Sequence, residues 1–453
     1  MKSAADLREN LDDIQGNILK AYKYPHAVYC FWSVTAESGR LFLQRLLDIG
    51  ISSASVWPVN SITGESTKPA ATLNCALTYK GLEALEVDVS RLELLPETFR
   101  AGMSARSIPL GDIGGSAPEH WQPQLDDSAI HVMVVIYAMN KAERESQQAK
   151  VRQAAQATDV IEVAHAIEAD ALPNSKEHFG FVDGIGQPSI EGGLVDEPGM
   201  GTPNIEGWQA LKPGEFIHGY IAEREKPPLE EKLMSLIDNG TYLVLRQLQQ
   251  DVAEFRSLLK TQAMNAFGSD SPVAQTRLAS NLVGRWPSGA SLMASPIEDP
   301  GNSDNDFRYS GDPDGMRCPL GAHIRRCNPR DGLAADTHVP FHRILRRGLP
   351  YGPLYDEEPE AERGLVFIAI NTDIEAQFEF VQEQWMQKGD FVNLSVDEKD
   401  PLAGVNSDGR FTLPGGTQNP VIFGINTFVQ TRGGGYFFMP SIKVLDLLAN
   451  GKL

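Results

Sequence analysis

The chain has 453 residues, 42% of them hydrophobic, which is enough for two domains or a fused pair with a sizeable core. Sixty acidic against forty basic residues give a formal net charge of -20, which disfavours docking on nucleic acid or on an anionic membrane surface. No run of about eighteen apolar residues occurs, and the opening MKSAADLRENLDDIQGNILK has neither an apolar stretch behind a basic one nor a twin-arginine pair, so a soluble, cytoplasmic protein is expected.

The first strong element is HAVYCFWSV, from His26, an apolar β-rich run followed by a helical stretch with Leu43, Leu46 and Leu47 at i, i+3 and i+4. TLNCALTY reads as a further strand. AIHVMVVIYAM, from Ala129, precedes a charged helical stretch, and VIEVAHAI is again β-rich. VDEPGMGTPNIEGWQALKPGEF, from Val195, is rich in Pro and Gly and reads as a linker. The pattern then repeats. GTYLVLRQL, from Gly240, precedes DVAEFRSLLK, where Val252, Phe255 and Leu259 fall at i, i+3 and i+7. GLVFIAI, from Gly364, precedes DIEAQFEFVQEQW, which sets Ile374, Phe378, Val381 and Trp385 on one helical face. The repetition predicts an α+β fold of duplicated domains, each an antiparallel sheet covered by helices, over residues 1–195 and 240–453, with 196–239 as linker.

PIEDPGNSDNDFRYSGDPDG, from Pro296, is long, acidic and irregular, and reads either as the wall or flap of a site or as a solvated insertion. The four cysteines (Cys30, Cys75, Cys318, Cys327) read as reduced thiols. Neither CxxC nor CxxCH is present, which argues against a zinc knuckle and against covalent haem attachment.

Three segments carry chemistry. EHFGFVDGIGQPSI, from Glu177, presents one carboxylate, Asp183, between Gly180 and Gly184, where the backbone can turn sharply and a large ligand can approach; a plain Asp-Gly turn reads the same way. RCPLGAHIRRCNPRD, from Arg317, places a single imidazole, His323, before an Arg-rich turn. Such an imidazole suits an axial haem ligand, and such arginines suit propionates, although a structural histidine is the bland alternative. FHRILRRGLPYGP, from Phe341, ends a strand in Arg346 and Arg347, which ordinary statistics would leave as solvated charges.

In this order, GFVDG, then AHIRR-x-NPR, then RRGxPYG resembles the dye-decolorizing peroxidases, and the opening DIQGNILK and the stretch AQFEFVQEQW are similar to that family as well. The resemblance implies two ferredoxin-like domains with a non-covalent haem b between sheet and helices. It further implies a peroxidase that reduces hydrogen peroxide through an oxoferryl intermediate and oxidises dye-like aromatic or phenolic donors. Carried over residue by residue, Asp183 and Arg346 are the distal catalytic pair and His323 is the proximal iron ligand. Gly184 and Arg325 fall beside the cofactor, and Asp373 is the carboxylate partner of His323, with Glu375 and Glu379 as alternatives. Gly348 stands where many relatives carry Asn or Ser, so a distal hydrogen-bond donor is missing on this reading. A carboxylate titrates near pH 4, below imidazole, so a site built on aspartate favours acidic pH. Bulky donors would be oxidised through aromatics near the surface, for which Tyr351, Trp385 and Trp286 are the candidates. Homo-oligomerisation is left open.

Three other readings compete. A haem carrier or sensor would share His323 but would not need Asp183 and Arg346. A hydrolytic metal site built on His323, His338, His342 and Asp336 fits no familiar ligand spacing. Iron extraction from haem would leave these motifs the same.

Overall fold

Strand β1 (His26–Ser33) is apolar along its length because both of its faces are covered. Val28, Cys30 and Trp32 enter one apolar cluster, while Ala27, Tyr29 and Phe31 enter another on the opposite face, as the two-residue period of a strand requires. β2 (Ala71–Leu77), β3 (Val132–Ala138) and β4 (Ile161–Asp170) pair with it antiparallel in the order β4-β1-β3-β2. The Ala36–Ile49 helix, capped by Thr35, lays Phe42, Leu43 and Leu46 on the first cluster. The Lys141–Gln156 helix, capped by Asn140, adds Val151, Ala154 and Ala155. The computed structural model describes residues 1–59, 66–193, 197–225, 228–334, 337–415 and 421–453.

Between the halves lie a hairpin of β5 (Thr202–Asn204) and β6 (Gly207–Gln209) and a short helix, Glu231–Ile237. The second half then repeats the first. β7 (Thr241–Gln250), the Val252–Phe267 helix, a broken strand β8 (Leu345–Arg346) and β9 (Leu349–Tyr351), β10 (Gly364–Asn371), a helical segment and β13 (Val429–Met439) assemble in the order β13-β7-β10-β8. β11 (Gly409–Thr412) and β12 (Val421–Ile425) form a separate hairpin. Fourth-first-third-second is thus the strand order of both halves, which is the expected α+β duplication. The helical segment differs from expectation in type: Glu375–Glu379 and Val381–Gln387 form π-helical turns, and although Ile374, Phe378, Val381 and Trp385 are all buried, the first two join the first apolar cluster and the last two a separate one with Val339 and Phe391.

One bridge, Leu77 to Phe438, joins β2 to β13 and makes a single nine-stranded sheet. The second apolar cluster lies between the half-sheets, where Tyr29, Val135 and Tyr137 meet Leu245, Ile368 and Phe437. Among the described residues no ladder closes the sheet into a barrel. The outer face of the second half is different. There Arg246, Leu248, Phe367 and Thr431 look into a cavity.

Candidate active site

The cavity encloses about 1870 Å³ of space free of protein atoms, its mouth included, between this sheet face and the segments around residues 323–330 and 378–405. The acidic stretch expected as either wall or insertion is a wall, since Phe307 and Tyr309 line the cavity. Arg285 and Arg330 pin this wall through the Asp304, Asn305 and Phe307 carbonyls.

Asp183 reaches the cavity from a loop wound around Glu177, whose carboxylate accepts the Phe179 and Phe181 N–H groups at 2.8 and 3.0 Å and Gln250 Nε2 at 2.7 Å. Gly180 (φ +98°) and Gly184 (φ +83°) turn the chain on either side of it through the left-handed region. A Cβ at Gly184 would meet no protein atom within 4 Å, so what the fold itself asks of this glycine is its positive φ. Arg346 comes from β8, its N–H held by Gln187 Oε1 at 2.9 Å, and its Nη1 stands 3.4 Å from Asp183 Oδ1. Arg347 points the other way. It is buried, and its guanidinium donates to the Asn17 and Ile18 carbonyls at 2.9 Å each, with burial pulling it down to about 10. Strand alternation therefore decides which arginine faces the cavity. At Gly348 an added Cβ would stand 2.1 Å from the Val366 carbonyl oxygen, so the contact with β10 dictates glycine and the position offers the cavity no side chain.

His323 opens the short His323–Cys327 helix and lines the same cavity. Its Nδ1 lies 2.9 and 3.1 Å from the two oxygens of Asp400, which is fully buried and also accepts the Leu402 and Ala403 N–H groups. Burial works against charge on the imidazole, but the Asp400 carboxylate and the Cys327 thiol outweigh it and raise His323 well above its ordinary value. Burial would raise Asp400, yet His323 and the backbone donors hold it below the carboxylate range. The Nδ1 proton is thus committed to Asp400, leaving Nε2 as the uncommitted nitrogen. Cys327 Sγ sits 3.7 and 3.8 Å from the two ring nitrogens.

Cations dominate the remaining rim. Arg330 and Arg343 line the cavity beside Arg346. Burial lowers Arg330 to about 10, and burial with repulsion from Arg330 and Arg346 lowers Arg343 to about 9. Arg343 Nη2 and Asn328 Oδ1 are buried without protein partners.

A family model described as the DyP dimeric alpha+beta barrel domain matches residues 13–173, and another, Dyp-type peroxidase, C-terminal, matches residues 229–397. The chain belongs to the dye-decolorizing peroxidase family. The dye-decolorizing peroxidase of Exidia glandulosa is 30% identical, covering 96% of this chain and 86% of its own length. Dye-decolorizing peroxidase msp1 of Mycetinis scorodonius is 28% identical over 96% and 87%. A solved dye-decolorizing peroxidase in complex with 2,6-dimethoxyphenol superposes with a TM-score of 0.81 at 27% identity, covering 97% of this chain and 99% of that one. The protein is accordingly an oxidoreductase acting on hydrogen peroxide, in a family that implies a haem cofactor.

Several sequence expectations are corrected in this dye-decolorizing peroxidase. The carboxylate beside His323 is Asp400, not Asp373, which caps the Ala376 N–H at 2.9 Å. Glu375 is exposed, and Glu379 is taken by Arg106 and the Tyr436 hydroxyl. Arg325 lies on the far side of its helix, where it donates to Asp312 Oδ2 and the Cys318 carbonyl. The four-residue metal set does not form among the described residues: His338 stacks on Phe341, His342 stacks on Phe380, and Asp336 lies outside them. His323, Cys327 and Asp400 are the group of metal-ligating side chains found together there. Trp385, Trp286 and Tyr351 are all buried. No helix of the described residues is long and apolar enough to cross a membrane.

Proposed function

We propose that this dye-decolorizing peroxidase holds haem b non-covalently in the cavity, ligated through Nε2 of His323, with Asp183 and Arg346 acting on hydrogen peroxide. The reducing substrates are aromatic or phenolic donors. The observation that carries the reading is that the His323–Asp400 pair and the Asp183–Arg346 pair open onto one cavity. The donor set suits the cofactor: Arg343, with an unpartnered Nη2, offers a guanidinium to a carboxylate, and Arg330, whose Nη1 is held by the Asn305 and Phe307 carbonyls, adds positive charge beside it, a role first given to Arg325. No CxxCH offers thioether attachment. The four unpaired cysteines support the cytoplasmic part of the reading. The division of the chain at about residues 195 and 240 belongs to the same reading.

Haem, when bound, supplies the redox centre at which the O–O bond breaks. Asp183 accepts the proton of the inner peroxide oxygen on its carboxylate and returns it to the outer oxygen, which departs as water. The Arg346 guanidinium stabilises the negative charge that develops on that departing oxygen. Asp400 keeps the Nδ1 proton of His323, which fixes the tautomer and makes Nε2 a stronger electron donor. Donors then return two electrons, and two protons complete the reduction of peroxide to two waters.

The test is an absorption spectrum of the haem-loaded protein before and after one equivalent of peroxide at mildly acidic pH. Rapid conversion of a ferric, histidine-ligated band, reversed by a phenol, is expected. A stable band indifferent to peroxide would make the protein a haem carrier, and no haem binding would overturn the reading.

A further inference from the structure

The haem reading uses His323 and Asp400 and gives Cys327 no role. Cys30, Cys75 and Cys318 are buried, whereas Cys327 is partly open and lines the cavity. It ends the short helix that His323 opens, four positions along, so both side chains leave the same helical face. Cys327 Sγ lies 3.7 Å from His323 Nδ1, and that nitrogen stands 2.9 Å from Asp400 Oδ2. Asp400 is held from the other side, where its Oδ1 accepts the Leu402 and Ala403 N–H groups, so Oδ2 is aimed at the ring. One nitrogen, one sulfur and one oxygen thus lie within 4.8 Å of one another. Ligand atoms on a tetrahedral zinc, with bonds of about 2.0–2.3 Å, stand roughly 3.3–3.7 Å apart, so small side-chain shifts close this set around one ion. The fourth position faces the cavity that His323 and Cys327 line, where water can fill it. Magnesium and calcium take oxygen ligands, whereas a mixed imidazole, thiolate and carboxylate set suits zinc. One thiolate and one carboxylate also balance the dication, which leaves no net charge beside the fully buried Asp400.

From this juxtaposition we infer that the haem-free chain binds one zinc ion on His323 Nδ1, Cys327 Sγ and Asp400 Oδ2, and that zinc and histidine-ligated haem exclude each other. The exclusion rests on the haem reading above; the zinc site does not. Both follow from the two nitrogens of one ring. Zinc forms bonds to nitrogen, sulfur and oxygen, the S–H bond breaks with its proton leaving to solvent, and the Nδ1 proton moves through solvent to Nε2. No electron changes hands. A neutral imidazole that carries its proton on Nε2 has no lone pair there for iron. Ligation of haem through Nε2 needs the proton back on Nδ1, donated to Asp400, and therefore needs the zinc to leave. Cys327 supplies the soft ligand on which this competition turns, since His323 and Asp400 alone offer two ligand atoms where three are usual.

The experiment uses the full chain, haem-free and haem-loaded, with zinc alone as the probe and a chromophoric chelator as competitor. Wild type is compared with Cys327→Ala and, as control, with His338→Ala, a histidine outside the triad. Haem-free wild type and His338→Ala are expected to bind one zinc per chain, and Cys327→Ala to bind it about a hundredfold or more weakly. Zinc should also shield one rapidly alkylated thiol, identified as Cys327 by mass spectrometry. Zinc added before haem should delay the histidine-ligated spectrum of wild type until a chelator is supplied, and should leave haem uptake by Cys327→Ala unaffected. No zinc uptake, or equal affinity in wild type and Cys327→Ala, would overturn the site. Undiminished zinc binding by the haem-loaded wild type, with Cys327 still shielded, would overturn the exclusion. A chain whose zinc binding follows Cys327 but which takes up no haem would instead sink the haem reading and leave the zinc site standing.

Discussion

The two halves of the molecule share one strand order and differ in what covers the outer face of the sheet. In the first half that face carries Val28, Val134 and Ile136 under two apolar helical stripes. In the second half the corresponding face carries Arg246, Leu248, Phe367 and Thr431, and the chain beyond the strands is held off it, leaving the cavity. One topology thus serves as a packed buttress in one copy and as a binding wall in the other. The polar residues responsible are also the costly ones. Arg246 is buried against Asp112 and Thr431, and burial raises Asp112 above the carboxylate range despite its arginine partner.

The largest expected effect comes from His323→Ala, which should abolish histidine ligation of bound haem; an unchanged five-coordinate histidine spectrum would refute the assignment. Asp183→Ala or Arg346→Ala should leave haem bound but slow its reaction with peroxide by about 10²–10⁴-fold in stopped-flow, the usual worth of such groups. Equal haem loss in both would count against catalytic roles. Ile136→Ala, in the buttress, should destabilise the fold by about 2–5 kcal/mol in denaturant unfolding. It should leave the peroxide rate per bound haem untouched, whereas Leu365→Ala, on the cavity wall, should do the reverse. If Ile136→Ala slowed the chemistry as much, the halves would not be divided between support and catalysis.

The smallest effect concerns Asp127, which lies against β13 and accepts the Met103 and Tyr436 N–H groups, with burial pushing it up to about 6. Because its folded value is raised, the stability it contributes is full below the ordinary value near 4 and is lost as pH rises through about 6. Melting temperatures measured from pH 4 to 7 should show this fall in wild type and not in Asp127→Asn.

Much of this was legible in the chain because strands and motifs are local. HAVYCFWS and GLVFIAIN declare themselves by apolar content, and Asp183, His323 and Arg346 come together as their motifs imply. What escaped was non-local or depended on helical phase. Asp400 lies 77 residues beyond His323, and only its place before Pro401, where it caps the Leu402 and Ala403 N–H groups, marks it as a constrained acid. Arg325 failed because a residue two positions along a helix sits nearly opposite, whereas Cys327, four positions along, shares the cavity face of His323. Gly348 could not be weighed without the Val366 carbonyl across the ladder.

The anchoring of Arg347 on the Asn17 and Ile18 carbonyls, across about 330 residues of chain, bears on how the protein is made. During synthesis the strand that presents Arg346 emerges about 330 residues after the segment that it must then find. The first half can complete its own sheet while the ribosome is still working, but the distal arm cannot be set until late. Loop closure of that span belongs among the slow, high-contact-order events of folding.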